Sequence, residues 1–241
     1  MQITVLGKYG PFPKEGGATS SYLLKVDGKN ILLDCGAGAF SRLCEYIKPE
    51  ELDVIILSHF HLDHTSDIGV LTYYYQVLSA NGFDKKPLVF CPEDGGPLCE
   101  TVINSPYFDV NLVRGGEISM LDDIDFEFFA MRHPVESVGV KISCNGKTFA
   151  YTGDTNVCDS LEDLFFGSDL VLADGGFLMK DWAELKPHLS VEYIVELTKK
   201  CGNKSIISHI NPKYTEEELQ NAIKDAGDKC LIAQEGKTYE I

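Results

Sequence analysis

The chain has 241 residues, 44% of them hydrophobic, with 37 acidic against 21 basic residues and a formal net charge of −16. This composition supports a sizeable core, while the charge repels polyanions over most of the surface and disfavours large nucleic acids as partners. No apolar run approaches the roughly 18 residues of a membrane span. The opening Met1-Gln2-Ile3-Thr4-Val5-Leu6 lacks the basic start and long apolar stretch of an export signal, so a cytoplasmic location away from membranes is expected. The eight cysteines never form C-x-x-C, and in that compartment they read as reduced thiols.

In chain order, residues 2–6 read as a strand, followed by a Gly/Pro-rich loop over 7–17. Strands are expected over 21–26 and 30–34, joined by the turn Asp27-Gly28-Lys29. The spacing of Phe40, Leu43 and Ile47 predicts a helix over 39–47. A strand over 53–57 precedes a polar cluster. A helix over 67–80 follows, its Tyr73-Tyr74-Tyr75 read as packing. Next come a strand over 87–91 and a short helix near 95–104. Strands fit 124–131, 138–143 and 148–151, then 169–174. Helices over 190–201 and 215–226 open on the caps Ser190 and Thr215, and Glu216 to Glu218 suit the positive end of the second. A strand over 205–208 lies between them, and 230–233 and 238–241 end the chain in strand-like residues. No linker divides it, and the order of strands then helices repeats in each half. The expectation is one α/β domain over 1–241, with two central mixed sheets flanked by helices.

The chemistry gathers at Leu57-Ser58-His59-Phe60-His61-Leu62-Asp63-His64, which holds three of the six histidines. The buried strand ends here, where open α/β folds place their sites. Imidazole nitrogen and carboxylate oxygen both bind zinc-like cations. In an extended segment His59 and His61 face one side, and a turn at Asp63-His64 would aim that pair at a second ion. His133, Asp154 and His209 each follow a further expected strand. Together these residues make seven ligands, enough for two ions sharing a carboxylate.

H-x-H-x-D-H, His133, Tyr151-Thr152-Gly153-Asp154-Thr155 and Ser208-His209 resemble the successive motifs of the metallo-β-lactamase superfamily, and Leu33-Asp34-Cys35-Gly36 resembles its first motif. The resemblance implies an αββα sandwich with a dinuclear site. His59, His61 and His133 would hold one ion, Asp63, His64 and His209 the other, and Asp154 would bridge. The ions would be two divalent metals, zinc first, with manganese or iron as alternatives that N/O ligands also accept.

Within the superfamily, the segments around His133 and Ser208-His209-Ile210-Asn211-Pro212-Lys213-Tyr214 are similar to the RNase Z and phosphodiesterase branch. Asp174 stands where that branch has Glu, and His188-Leu189-Ser190 resembles its H-S-T. The resemblance thus casts Asp174 and His188 as catalytic partners, with His188 protonating the leaving oxygen. The residues alone also admit a helix-capping neighbour and a solvated strand end. Asp63 would orient the attacking water as well as bind metal. Asp34 and Asp67 would accept hydrogen bonds from ligand imidazoles, Asp67 equally serving as a charge at a helix N-terminus.

Departures from the branch are the missing basic Gly-rich insertion between Thr155 and Pro187 and Lys213 in place of Arg. The expected function is a dinuclear metal-dependent hydrolase of a small phosphodiester, a cyclic nucleotide or short oligonucleotide. A tRNA 3′-processing endonuclease, a thioester or lactone hydrolase and an idle metal-binding protein stay open. So does a homodimer, frequent in the branch.

Overall fold

The computed structural model describes residues 1–94 and 96–241. The first half runs β1 (Gln2–Gly7), β2 (Ser21–Val26), β3 (Lys29–Leu33), α1 (Ala39–Leu43), β4 (Val54–Ile56), α2 (Leu62–Thr65), α3 (Ile68–Ala80), β5 (Leu88–Cys91), α4 (Pro97–Ile103) and β6 (Asp109–Leu112). The second half continues with β7 (Ile118–Leu121), β8 (Ile124–Ala130), β9 (Val138–Cys144), β10 (Lys147–Tyr151), α5 (Ser160–Phe165), β11 (Leu170–Asp174), α6 (Val191–Cys201), β12 (Lys204–Ser208), α7 (Glu216–Ile223), β13 (Cys230–Ile232) and β14 (Thr238–Glu240).

Two seven-stranded sheets form, in the orders β14-β1-β2-β3-β4-β5-β6 and β13-β12-β11-β10-β9-β8-β7. Each is antiparallel from its outer strand inward as far as β3 or β10, and parallel beyond. The two halves therefore share one topology, with the C-terminal β14 taking in the first sheet the place that β7 takes in the second.

Side chains alternate across a strand, and here both faces are buried. Ile31, Leu33, Val54 and Ile56 point into the core between the sheets, with Phe126, Phe128, Val140 and Ile206 from the other sheet. Leu32 and Ile55 point outward beneath Leu43 of α1 and Leu71 of α3. Val171 and Ile207 do the same beneath α5, α6 and α7. Three apolar layers between four layers of structure make the αββα sandwich. They also explain why β4 and the first four residues of β11, Leu170 to Ala173, are unbroken apolar runs.

Several boundaries differ from expectation. The helix expected over 39–47 stops at Leu43, where Glu45 N–H bonds Arg42 O and Tyr46 N–H bonds Leu43 O at 3.1 and 3.0 Å in tighter i→i+3 turns. The helix near 95–104 is α4, and the expected start at residue 95 lies outside the described residues. β6, β7 and α5 come from sequence that suggested no element. All eight cysteines are free. Among the described residues no helix is long and apolar enough to cross a membrane.

Candidate metal centre

Except for His188, which lies in the loop before α6, the chemically loaded residues lie where β4, β8, β10, β11 or β12 gives way to loop. β4 leads into His59 and His61, and the single turn α2, closed by His64 N–H on His61 O at 3.0 Å, turns Asp63 and His64 inward. His133 follows β8, Asp154 follows β10, Asp174 ends β11, and His209 follows β12. Two close approaches require glycine. Gly153 has φ +58°, and a Cβ there would lie 2.7 Å from Ser58 Cβ. A Cβ on Gly10 would sit 2.0 Å from the His209 ring. Asp34 and His209 themselves adopt φ +55° and +54°. Such left-handed backbone costs about 1–3 kcal/mol at a non-glycine residue and recurs where a side chain must be aimed.

The side chains form two groups that meet at one carboxylate. In the first, His61 Nδ1 lies 3.1 Å from His59 Nε2 and 2.9 Å from His133 Nε2. Asp154 Oδ2 is 3.7 Å from His59 Nε2 and 4.0 Å from His133 Nε2. Nitrogens bound tetrahedrally at about 2.0–2.1 Å to one zinc lie about 3.3 Å apart, so this is the spacing of a coordination edge. In the second group, Asp154 Oδ1 is 3.1 Å from His64 Nε2 and 3.2 Å from His209 Nδ1, and Asp63 Oδ2 is 3.8 Å from both His64 Nε2 and His209 Nε2. All seven residues singled out from the sequence are thus brought together, with the two oxygens of Asp154 facing different groups.

Partners on the far ring nitrogens fix which nitrogen looks inward. His59 Nδ1–H donates to Ser58 Oγ at 3.0 Å, His64 Nδ1–H to Asp34 Oδ2 at 2.7 Å and His133 Nδ1–H to the Pro187 carbonyl at 3.2 Å, and His209 Nδ1 pairs with Ser20 Oγ at 3.0 Å. His59, His64 and His133 are thereby left with Nε2 for the centre, while His209 turns Nδ1 toward Asp154 and Nε2 toward Asp63. Asp34 is the hub. It is fully buried and also accepts from Ser58 N–H at 2.7 Å, Ser58 Oγ at 2.8 Å and Tyr151 OH at 2.5 Å. Ser58, Tyr151 and Ser20 were not singled out from the sequence. Asp67 sits elsewhere: its carboxylate accepts the Phe40 amide of α1 at 3.0 Å and its residue caps α3. It serves helix termini rather than a ligand imidazole.

Asp174 and His188 form a pair beside the second group. His188 Nδ1–H donates to Asp174 Oδ2 at 2.9 Å, and Nδ1 stands 3.6 Å from Asp154 Oδ2. Asp174 is buried and also accepts the amides of Thr155 at 3.0 Å and Gly176 at 2.9 Å, so its orientation is set on both oxygens. The His188 ring lies against that of His209, centroids 4.7 Å apart.

The electrostatics favour a cation at the centre. Burial pushes the Asp154 carboxyl up to about 6, against the pull of His64. Burial also opposes a charge on His64, yet the Asp154 and Asp34 carboxylates raise it well above the ordinary imidazole value. Burial holds His59 and His209 well below that value and brings His133 to about 3, so these rings stay neutral with lone pairs available. Burial works against a charged His188 too, but Asp174 and Asp154 carry it up to about 9. His64 Nε2, His209 Nε2 and Asp154 Oδ1 are buried with no hydrogen-bond partner. Buried polar atoms without partners are costly, and a divalent ion among them satisfies all three. The donor set and its orphaned atoms fit the metal.

Fold and site together define a metal-dependent hydrolase on a two-sheet sandwich. A family model described as beta-lactamase superfamily domain matches residues 29–210, and the chain belongs to that family. It is 26% identical to a probable metallo-hydrolase, YhfI, of Bacillus subtilis over the full length of both. The crystal structure of that metallo-beta-lactamase fold protein superposes with a TM-score of 0.92, covering 99% of this chain and 98% of the other at 25% identity. A ribonuclease Z of Methanosarcina acetivorans is 23% identical over 303 aligned positions, covering 100% of this chain and 98% of the relative. The short form of human tRNase Z shares the fold at a TM-score of 0.80 and 17% identity, covering 100% of this chain and 99% of the other.

Proposed function

We propose that this single-domain protein is a dinuclear metal-dependent phosphodiesterase acting on a small phosphodiester, a cyclic nucleotide or short oligonucleotide, in the cytoplasm. The observation that carries the reading is Asp154, whose two oxygens face two separate sets of imidazoles while His188 stands beside it. His59, His61 and His133 would hold one ion, Asp63, His64 and His209 the second, with Asp154 shared and zinc the first choice. When bound, such ions supply Lewis-acid stabilisation of phosphoryl oxygens and a water acidified toward about pH 7.

The chain's own residues supply the rest. Asp34 locks the His64 ring directly and the His59 ring through Ser58. Asp63, the most exposed of the ligand carboxylates at 11%, can orient the attacking water. Asp174 holds His188 Nδ1–H, so a protonated His188 offers Nε2–H to the leaving oxygen. An alkoxide leaving group needs that proton, and although burial works against a charged His188, the Asp174 carboxylate that accepts from its Nδ1–H favours the protonated ring. Among the hydrolyses open to a dinuclear centre, this acid favours a phosphodiester with a poor leaving group.

Two features favour a small substrate over tRNA. The net charge of −16 repels a polyanion. The alignment with the archaeal ribonuclease Z runs to 303 positions against 241 residues here, so 62 positions of that comparison have no counterpart in this chain. The test is turnover by the zinc- or manganese-loaded protein of bis(p-nitrophenyl) phosphate, 2′,3′-cyclic nucleotides, a thioester, a lactone and a precursor tRNA. Turnover of the small phosphodiesters is expected. Hydrolysis of the thioester or lactone alone would sink the reading, and efficient 3′ cleavage of the tRNA would replace it.

A further inference from the structure

Resting on that two-metal reading, we infer that Asn156, outside the metal-binding set, is a positioning residue that sets His133 and His188 together by clamping the loop over 182–187. Asn156 is 1% exposed and lies two residues beyond Asp154. Its Nδ2 reaches the carbonyls of Ala183, Glu184 and Lys186 at 3.3, 3.2 and 2.5 Å. Its Oδ1 accepts from Trp182 Nε1 at 3.1 Å and from the Val157 amide at 2.7 Å. Its own amide donates to Arg132 O at 2.9 Å, and Arg132 N–H donates to Thr155 Oγ1 at 3.1 Å. One residue thus ties together the segments that carry Asp154, His133 and His188.

The loop has little else to hold it. Residues 183–186 are exposed, Leu185 at 93%, in a stretch without helix or strand. Yet the next two residues are the ones the site depends on: the Pro187 carbonyl accepts His133 Nδ1–H, and His188 follows it. Without the clamp an exposed loop would carry both partners, and the directions of His133 Nε2 and His188 Nε2 would no longer be fixed. Only a carboxamide meets the demand. An aspartate of the same shape keeps the acceptor facing Trp182 but sets a second oxygen against three carbonyls.

The test uses Asn156→Asp, with the milder Asn156→Ser in case the first fails to fold. Zinc affinity is read by competition with a chelator, kcat and KM on bis(p-nitrophenyl) phosphate, and hydrogen exchange of the His133 Nδ1–H by NMR on the metal-free protein. Expected are a kcat lowered about 10–100-fold at little-changed KM, and one zinc equivalent weakened by a similar factor while the other is unaffected. The His133 N–H should also exchange at least about tenfold faster. Folded variants with wild-type kcat, both zinc affinities intact and unchanged exchange would overturn the inference. So would equal weakening of both equivalents with a lowered melting temperature, the mark of a merely structural residue. A wild-type protein that binds one zinc, or that turns over no phosphodiester, breaks the two-metal reading instead, and the His133 exchange still decides the clamp.

Discussion

Asp34 and Asp154 hold matching places in the two halves. Each lies just past the strand, β3 or β10, at which its sheet changes from antiparallel to parallel pairing. Both are buried, at 0% and 2% exposure. Their surroundings are opposite. Asp34 is saturated with donors from Ser58, His64 and Tyr151. Asp154 keeps an oxygen with no hydrogen-bond partner and is pushed up to about 6 by burial. A buried carboxylate is stable when donors surround it and demanding when they do not. One topological position, used twice, therefore yields a donor-saturated scaffold in the first half and a carboxylate oxygen facing unpartnered imidazole nitrogens in the second.

The contrast breaks most sharply at Asp154. Asp154→Ala should lower kcat/KM on a phosphodiester by about 10³-fold or more, since in the proposed centre stabilisation of several kcal/mol depends on this carboxylate. Next comes His188, the proposed acid beside it. His188→Gln should keep both metal equivalents while losing about 10²–10⁴ in kcat on an ester with an alkoxide leaving group. The loss should shrink to about tenfold or less on a p-nitrophenyl ester, whose leaving group needs no proton. Equal losses on both esters would show that His188 does not protonate the leaving oxygen.

Changes at Asp34 sharpen the other side. Asp34→Asn keeps the shape but weakens its grip on the His64 ring. It should cost about 10–100-fold in zinc affinity and about 1–3 kcal/mol of stability as buried donors lose an ionised acceptor. Both are readable by chelator competition and denaturant melts. Smallest is Tyr151→Phe, which removes one donor from a carboxylate that retains three other contacts. A loss of about 0.5–1.5 kcal/mol is expected with kcat within about threefold. A larger catalytic loss would mean that Asp34 needs its full set of donors to orient His64.

The two halves were also unequally legible in the sequence. In the first, β4 is a short apolar run and its ligands follow within six residues, His59 to His64, so pattern and spacing suffice. In the second, His133, Asp154 and His209 come singly from three strands; their strand-end positions joined them to the cluster, but only a resemblance to known motifs divided the seven between two ions. Asp34 showed its role through the same resemblance, but its donors did not: serine and tyrosine carry no spacing signal, and Tyr151 reaches Asp34 across 117 positions. Ser58 stood inside the quoted cluster, and its place between a strand and a ligand histidine was the one available hint. Asp67 offered two readings, and its carboxylate serves the first turn of α1. The missed strands β6 and β7 are edge strands whose residues are exposed or half-buried, so they lack the buried apolar run that marks β4. The six-residue α5 is too short for a helical period to register.

Anomalous diffraction from crystals of the zinc-loaded protein addresses the shared role of Asp154 most directly. Two peaks should appear on either side of its carboxylate, one toward His59, His61 and His133 beside Oδ2 and one toward Asp63, His64 and His209 beside Oδ1. A single peak, or a second peak away from Asp154, would contradict a two-ion centre built on that residue.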